Sequence, residues 1–393
     1  MNAYINAVSA FLPGLPVENQ DLDRYLGTAS AVSAKTRRII LATNGIRSRY
    51  YAIDPASGRT SYSNARLAAE AVRRLPLKGL RPDCGQNHQG GEAGIDCLCC
   101  GTSTPDQLLP GHGSMVQGEL GLGPCEVMSA AGVCLTGVTA LNYAAMSVAL
   151  GQHRQAVASG SELASTFLRQ DFFERMSGRA GEQGGQEQGP AFSFAAEFLR
   201  WMLSDGAGAV LVEATPRGEG PSLRIDWIES ISHAHRLEAC MYAGGVKQAD
   251  GSLLGWRECL AGGGLEHQGV MTIKQDARLL NREIIDVTVG RSLPQVTAKH
   301  GLRPEQVDWF LPHYSSEYFR APLLAQLEAI GFPIPEERWF TNLGTKGNTG
   351  SASFYIILEE LVSSGRLQPG DRILAMVPES GRFSVGWLGL EVV

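Results

Sequence analysis

Val133, Leu135, Val138, Leu141, Ala145 and Val148 recur at helical spacing through "SAAGVCLTGVTALNYAAMSVALG" (129–151). This pattern predicts a buried helix that carries Cys134 in its first turn and closes at Gly151. A second apolar helix is predicted in "GNTGSASFYIILEELVSSG", where Asn348 stands seventeen residues before Gly365, the interval that also separates Cys134 from Gly151. Each helix precedes an apolar strand pattern, "QAVASGSE" after the first and "DRILAMVPESG" after the second. Upstream, "GIDCLCCG" and "QVDWFLPH" both read as an aspartate entering a short apolar strand, with Gly101 five residues after Asp96 and His313 five after Asp308.

The same order of strand, long excursion, helix, closing glycine and strand therefore occurs twice. From Asp96 to Cys134 is 38 residues, and from Asp308 to Asn348 is 40. Repeated strand–helix–strand units predict an α/β protein of two similar halves, with sheets flanked by helices in layers. The divide is placed at Ala214, where "DGAGAVLVEATPRGEGPS" ends a strand and enters a Pro/Gly-rich connection, so the halves are 1–213 and 214–393. Two Gly/Gln-rich stretches, 83–94 and 177–190, read as exposed loops. The apolar segment "AFSFAAEFLRWMLSDGAGA" after the second is expected either to cover a substrate entrance or to pack as an ordinary helix.

Composition narrows the classes. The 393 residues are 44% hydrophobic, enough for a large core, and the net charge of −6 gives no global basic field for nucleic acid or an anionic membrane. "MNAYINAVSAFLPGLPVENQ" lacks the basic start of a signal peptide, and no run reaches the ~20 apolar residues of a membrane span, so a cytoplasmic protein is expected. Eight cysteines are expected as free thiols. Cys97, Cys99 and Cys100 invite a metal reading, but their spacing sends neighbours to opposite strand faces, which favours core cysteines and no metal.

If the halves are related by a two-fold, equivalent strand and helix ends converge, and Cys134 meets His313 and Asn348. A cysteine at a helix N-terminus feels the positive end of the dipole, which favours thiolate, and a thiolate can take an acyl group from a thioester. His313 and Asn348 would then donate hydrogen bonds to an oxygen on which negative charge builds.

These residues, with "NGIRSRY" (44–50), "GSE" (160–162), "SDGAGAVLV" (204–212), "LPHYSSEYF", "GNTGSAS" and "GRFSVGWLGLEVV", resemble the ketoacyl-acyl carrier protein synthase III branch of the thiolase-like family over nearly the whole chain. The resemblance implies a thiolase fold with a layered α-β-α-β-α core, a homodimer, and a tunnel for phosphopantetheine thioesters with no permanently bound cofactor. It implies an acyl-enzyme on Cys134 and carbon–carbon bond formation with an enolate stabilised by His313 and Asn348. Backbone N–H groups at Cys134 and Arg382, within Gly381–Phe383, would form the oxyanion hole.

The sequence also departs from that family. Its H-Q-A-N is "HYSS" here, with Tyr314 for Gln and Ser316 for Asn, and the coenzyme A-stacking Trp and its neighbouring Arg are replaced by Ile39 and Thr43. A carrier-protein-bound donor is therefore expected over coenzyme A. The loop "GTSTPDQLLPGHGSMVQGELG" places Asp106, Gln107 and His112 either at a dimer edge or in a substrate channel. These features resemble specialised ketosynthases such as those of dialkylresorcinol and aryl polyene formation, in which a β-ketoacyl thioester can serve as nucleophile and a second closure can follow. Glu162 is then either an added acid/base or a structural hydrogen-bonding group. Lys274, Arg278 and Arg282, spaced i, i+4, i+8 in "MTIKQDARLLNREIIDVTVG", form a basic stripe suited to an acidic carrier protein. Acyl transfer to an alcohol or amine, and a non-catalytic partner subunit, are the remaining readings.

Overall fold

Apolar strands that alternate inward between two helical layers need a sheet covered on both faces, and the chain builds such a sheet twice. The computed structural model describes residues 2–28, 33–77, 95–176, 198–218, 220–261 and 269–393. The stretches 83–94 and 177–190 lie outside the described residues. The nine strands of the main sheet are β1 (Tyr4–Phe11), β2 (Cys97–Thr102), β3 (Glu126–Ala131), β4 (Gln155–Glu162), β5 (Gly206–Glu213), β6 (Leu223–Ser232), β7 (Trp309–Pro312), β8 (Arg372–Glu379) and β9 (Ser384–Val392). The principal helices are α1 (Ala34–Asn44), α2 (Asn64–Arg73), α3 (His112–Leu120), α4 (Thr136–Ala149), α5 (Ala277–Ile285), α6 (Ser292–His300), α7 (Arg320–Ala329) and α8 (Ser353–Ser363).

The strand order β7-β8-β9-β6-β1-β5-β4-β2-β3 carries the internal repeat. In one half β2 pairs parallel with β4, which pairs antiparallel with β5 and β5 with β1. In the other, β7 pairs parallel with β8, which pairs antiparallel with β9 and β9 with β6. Within the sheet the halves meet where β1 pairs β6 at Tyr4↔Arg224 and Ile5↔Leu223. The aspartates aligned in the sequence are equivalent in space. The Asp96 carboxylate accepts the Arg154 and Gln155 amides where β4 begins, and Asp308 accepts the Arg372 amide where β8 begins.

Five layers result. α2 and α3 cover the outer face of the first half, α5 to α7 that of the second, and α4 with α8 form the shared middle layer. Strand alternation sorts the cysteines accordingly: Cys97 and Cys99 face the middle layer, whereas Leu98 and Cys100 face α2 and α3. The structure also sets ligand atoms of Cys97, Glu126 and His153 within 4.8 Å of one another, with the Glu126 carboxylate already accepting hydrogen bonds from Tyr143 and Gln152.

The middle layer is tight because glycines let backbone touch backbone. A Cβ on Gly137 of α4 would lie 2.1 Å from the Ser351 carbonyl oxygen, and one on Gly160 of β4 would lie 2.2 Å from it. Both helices stop at left-handed glycines, Gly151 and Gly365, as their sequences predict. Gly160→Ala is therefore expected to wedge the start of α8 off β4 and to cost about 1–3 kcal/mol or more of stability, read as a lowered unfolding midpoint in denaturant.

Candidate active site

Cys134 sits in the turn between β3 and α4, two residues ahead of the first helical residue and so just outside the first turn in which its sequence places it. His313 follows β7 directly and is fixed by its amide, which donates to the Met376 carbonyl on β8 (2.8 Å). Asn348 is held between segments. Its amide N–H reaches the Met202 carbonyl, its carbonyl receives the Ser204 N–H, and its side-chain oxygen accepts the Gly350 N–H at 2.9 Å. That last bond occupies the amide oxygen and leaves the amide NH₂ as the group offered for donation.

The three side chains line one cavity. Its polar end carries Cys134, His313, Asn348, Ser103, Thr104 and Glu162, and the rest is mostly apolar, with Phe167, Leu199, Leu203, Leu280, Ile284 and Leu323 among its walls. The segment around Leu199–Leu203 thus forms cavity wall, and "NGIRSRY" explains how it is held. The fully buried Arg49 guanidinium and the Asn44 amide both donate to the Trp201 carbonyl, and Arg49 also reaches Asn19.

Burial sets the electrostatics. His313, 5% exposed, has its pKa lowered to about 4 by desolvation, so near neutrality the ring is uncharged and offers one N–H donor. The expectation of a thiol pulled down by the helix dipole is corrected: burial pushes the Cys134 thiol up, and the carboxylates of Glu162 and Glu379 push it further. The physical reason is local. Glu379 accepts the Val133 N–H (3.1 Å) and the Leu135 N–H (3.2 Å), so a carboxylate already occupies the anion-stabilising start of α4.

Glu162 lines the cavity but is fully engaged, accepting from the Ser103 amide and hydroxyl, the Thr104 hydroxyl and the Ser351 amide at 2.7–3.2 Å. Asp106 is not a channel residue. Its two oxygens accept the Asn64 and Ala65 amides and cap α2. His112 is buried against the Ser161 hydroxyl, and Gln107 donates to the Pro110 carbonyl. Ser316 is likewise withdrawn from the cavity, its hydroxyl capping a short turn at Tyr318, while Tyr314 and Ser315 face the space.

The basic stripe is broken. α5 begins only at Ala277, capped by Asp276, and Lys274 lies before it, its ammonium donating to the Gly269 and Thr272 carbonyls. Arg278 and Arg282 do share the exposed helix face, although Arg282 leans onto Glu283 (2.7 Å). Arg382 is exposed, and its side chain donates to the Leu237 carbonyl. Gly381 brings the backbone against Val133, since a Cβ there would lie 3.0 Å from the Val133 side chain.

Glu379 is the site residue that sequence reasoning missed, although a signal for it was present. β4 ends at Glu162 and its repeat mate β8 ends at Glu379, so one carboxylate pointed to the other.

Residues 297–384 match the family model for the C-terminal part of 3-oxoacyl-[acyl-carrier-protein] synthase III. The chain is 27% identical to beta-ketoacyl-[acyl-carrier-protein] synthase III of Rhodobacter capsulatus, over 95% of this chain and 94% of that one. It is 26% identical to the enzyme of the same name from Rhizorhabdus wittichii, over 98% and 97%. Among solved structures, the tetronic acid condensing enzyme AbyA1 shares the fold at a TM-score of 0.71 with 20% identity, covering 99% of both chains. OleA of Xanthomonas campestris with bound lauric acid does so at 0.70 with 20% identity, over 100% and 99%. With the repeated sheet, the shared middle layer and this cavity, the chain has the fold of these condensing enzymes and is similar over nearly its whole length to the beta-ketoacyl-[acyl-carrier-protein] synthase III enzymes.

Proposed function

We propose that the protein is a ketosynthase that loads an acyl group onto Cys134 and extends it by a Claisen-type condensation. The observation that supports this reading is the convergence of Cys134, His313 and Asn348 from both halves on one cavity with a mostly apolar lining. The Cys134 sulfur attacks the thioester carbonyl, the acyl–sulfur bond forms, and the donor departs as a free thiol with the proton. A malonyl thioester then loses carbon dioxide, or a β-ketoacyl thioester passes its acidic α-proton to water, to give an enolate, and water returns a proton to the Cys134 thiolate at the end of the cycle. The neutral His313 N–H and the Asn348 NH₂ receive the enolate oxygen, and two donors in a water-poor site match the place where charge develops. The enolate carbon attacks the acyl carbonyl and Cys134 leaves as thiolate. The backbone N–H groups of Cys134 and Arg382 are the proposed oxyanion hole. Glu162, bound by four donors, has the role of a structural anchor in this scheme.

The lining favours a long hydrocarbon chain. Leu280, Ile284 and Ile285 of α5 and Leu323 of α7 carry the cavity between the outer helices of the second half, where an alkyl tail is removed from water at about 0.8 kcal/mol per methylene. A separate recess beside α1 is lined by Arg37, Arg38 and Arg47, with Arg37 tied to Asp23 at 2.7 Å. This basic recess supports entry of a phosphopantetheine arm carried by acyl carrier protein, and Arg278 with Arg282 adds cationic surface for such a partner. No cofactor is needed in this scheme beyond the thioester itself. β3 is an open sheet edge, and Leu108, Leu109, Met146 and Leu150 are exposed large apolar residues, which supports a homodimer formed across that edge.

Intact-protein mass spectrometry after incubation with acyl-carrier-protein donors is expected to show one acyl adduct, absent in Cys134→Ala, that a malonyl or β-ketoacyl thioester discharges into a carbon-extended product. Discharge only by alcohols or amines would replace condensation with acyl transfer, and no adduct with any donor would leave a partner subunit. His313→Ala should keep the adduct while condensation falls by about 10²–10³-fold. Ile284→Trp should lower kcat/KM for a dodecanoyl donor at least about ten-fold and spare an acetyl donor, because the ring fills the distal cavity. Sedimentation equilibrium should return twice the 42.2 kDa chain mass.

A further inference from the structure

The repeat relates two buried carboxylates that cross the seam in opposite directions. Glu162 ends β4 of the first half and accepts the Ser351 N–H ahead of α8 of the second. Glu379 ends β8 of the second half and accepts the Val133 and Leu135 N–H groups ahead of α4 of the first. The two are not equivalent in consequence. The residue between the two amides held by Glu379 is Cys134, so one carboxylate oxygen is bonded to the backbone on both sides of the nucleophile.

We propose that Glu379 is a positioning residue for Cys134, whose carboxylate pins the turn that carries the thiol and holds negative charge beside it. Geometry carries the first part. A single oxygen receiving N–H groups two residues apart fixes the orientation of both peptides flanking Cys134. Electrostatics carries the second. The N-terminal end of a helix stabilises one nearby anion, and here the anion is Glu379 rather than the thiolate. Among titratable groups, Glu162 of the first half adds to the same negative field. His313, which lines the cavity on the other half, is uncharged near neutrality. Arg382 turns away to the Leu237 carbonyl. Among the described residues no Lys or Arg side chain lines the cavity, so the charged groups near the thiol are carboxylates. A thiol kept neutral at rest resists oxidation and adventitious electrophiles, since thiolate is the reactive form.

The inference rests on Cys134 being the acylated residue, and its test reads the thiol itself. The rate of Cys134 alkylation by iodoacetamide, localised by peptide mass mapping, is measured against pH in the full-length protein and in Glu379→Gln. Removing a neighbouring negative charge favours thiolate, so the alkylation profile should move to lower pH by about one unit, which is about ten-fold faster alkylation at neutral pH. An unshifted profile in folded Glu379→Gln overturns the charge role, and this holds whether or not condensation is ever observed. Glu379→Asp provides the second arm. It keeps the charge but shortens the reach, so the profile should stay alkaline while acyl loading slows at least about ten-fold. Unchanged loading by Glu379→Asp overturns the positioning role.

Discussion

Ser351 is where the two halves are locked together, and the site depends on that lock. Its carbonyl presses against the bare backbone of Gly137 and Gly160, its N–H goes to Glu162, and its hydroxyl donates to the Ser161 carbonyl at 2.9 Å. Each of these partners belongs to the first half, whereas Ser351 itself precedes α8 of the second. Approach this close is possible only where no Cβ intervenes, and it sets the distance between the cysteine-bearing turn and the loop that carries Asn348.

From that lock the chemistry follows by symmetry. Because β2 and β7 run parallel to β4 and β8 in the same sense, the ends of equivalent strands open toward the seam from both sides. Cys134 comes from one half, His313 and Asn348 from the other, and neither half alone brings the three side chains to one cavity. The outer helices of the second half contribute an apolar pocket instead of polar groups, so the reacting end is supplied with donors and the far end with hydrocarbon. Desolvation acts in opposite directions on the groups it surrounds. It keeps His313 neutral and able to donate, and it keeps the Cys134 thiol from ionising freely.

Of the residues singled out as departing from the expected family pattern, Ser316 and Asp106 lie outside the cavity and Tyr314 lines it. Ser316 and Asp106 serve as caps of local turns and helices, which is what short polar side chains at chain reversals ordinarily do. Tyr314 reaches the cavity and joins its hydroxyl to Glu317 and Arg320, so that substitution places a phenol where it touches both the apolar wall and a charged network.

Much of the fold was legible because repetition is a one-dimensional signal. Asp96 and Asp308, the twin helices with their closing glycines, and the strands after them could be aligned by counting, and counting also brought Cys134, His313 and Asn348 together. Alternation likewise placed Cys97 and Cys100 on opposite faces, since side-chain direction in a strand depends only on parity. The sequence could not show what each polar side chain bonds to, because hydrogen-bond partners are chosen by three-dimensional proximity. Asp106 to the start of α2, Lys274 to backbone carbonyls and Glu379 to the amides around Cys134 are separations of about forty, fewer than ten and about 240 residues, and no spacing rule joins them. The ionisation of Cys134 was misread for the same reason. A helix start is visible in sequence, but the carboxylate that crosses from the other half to occupy it exists only once the two halves have met.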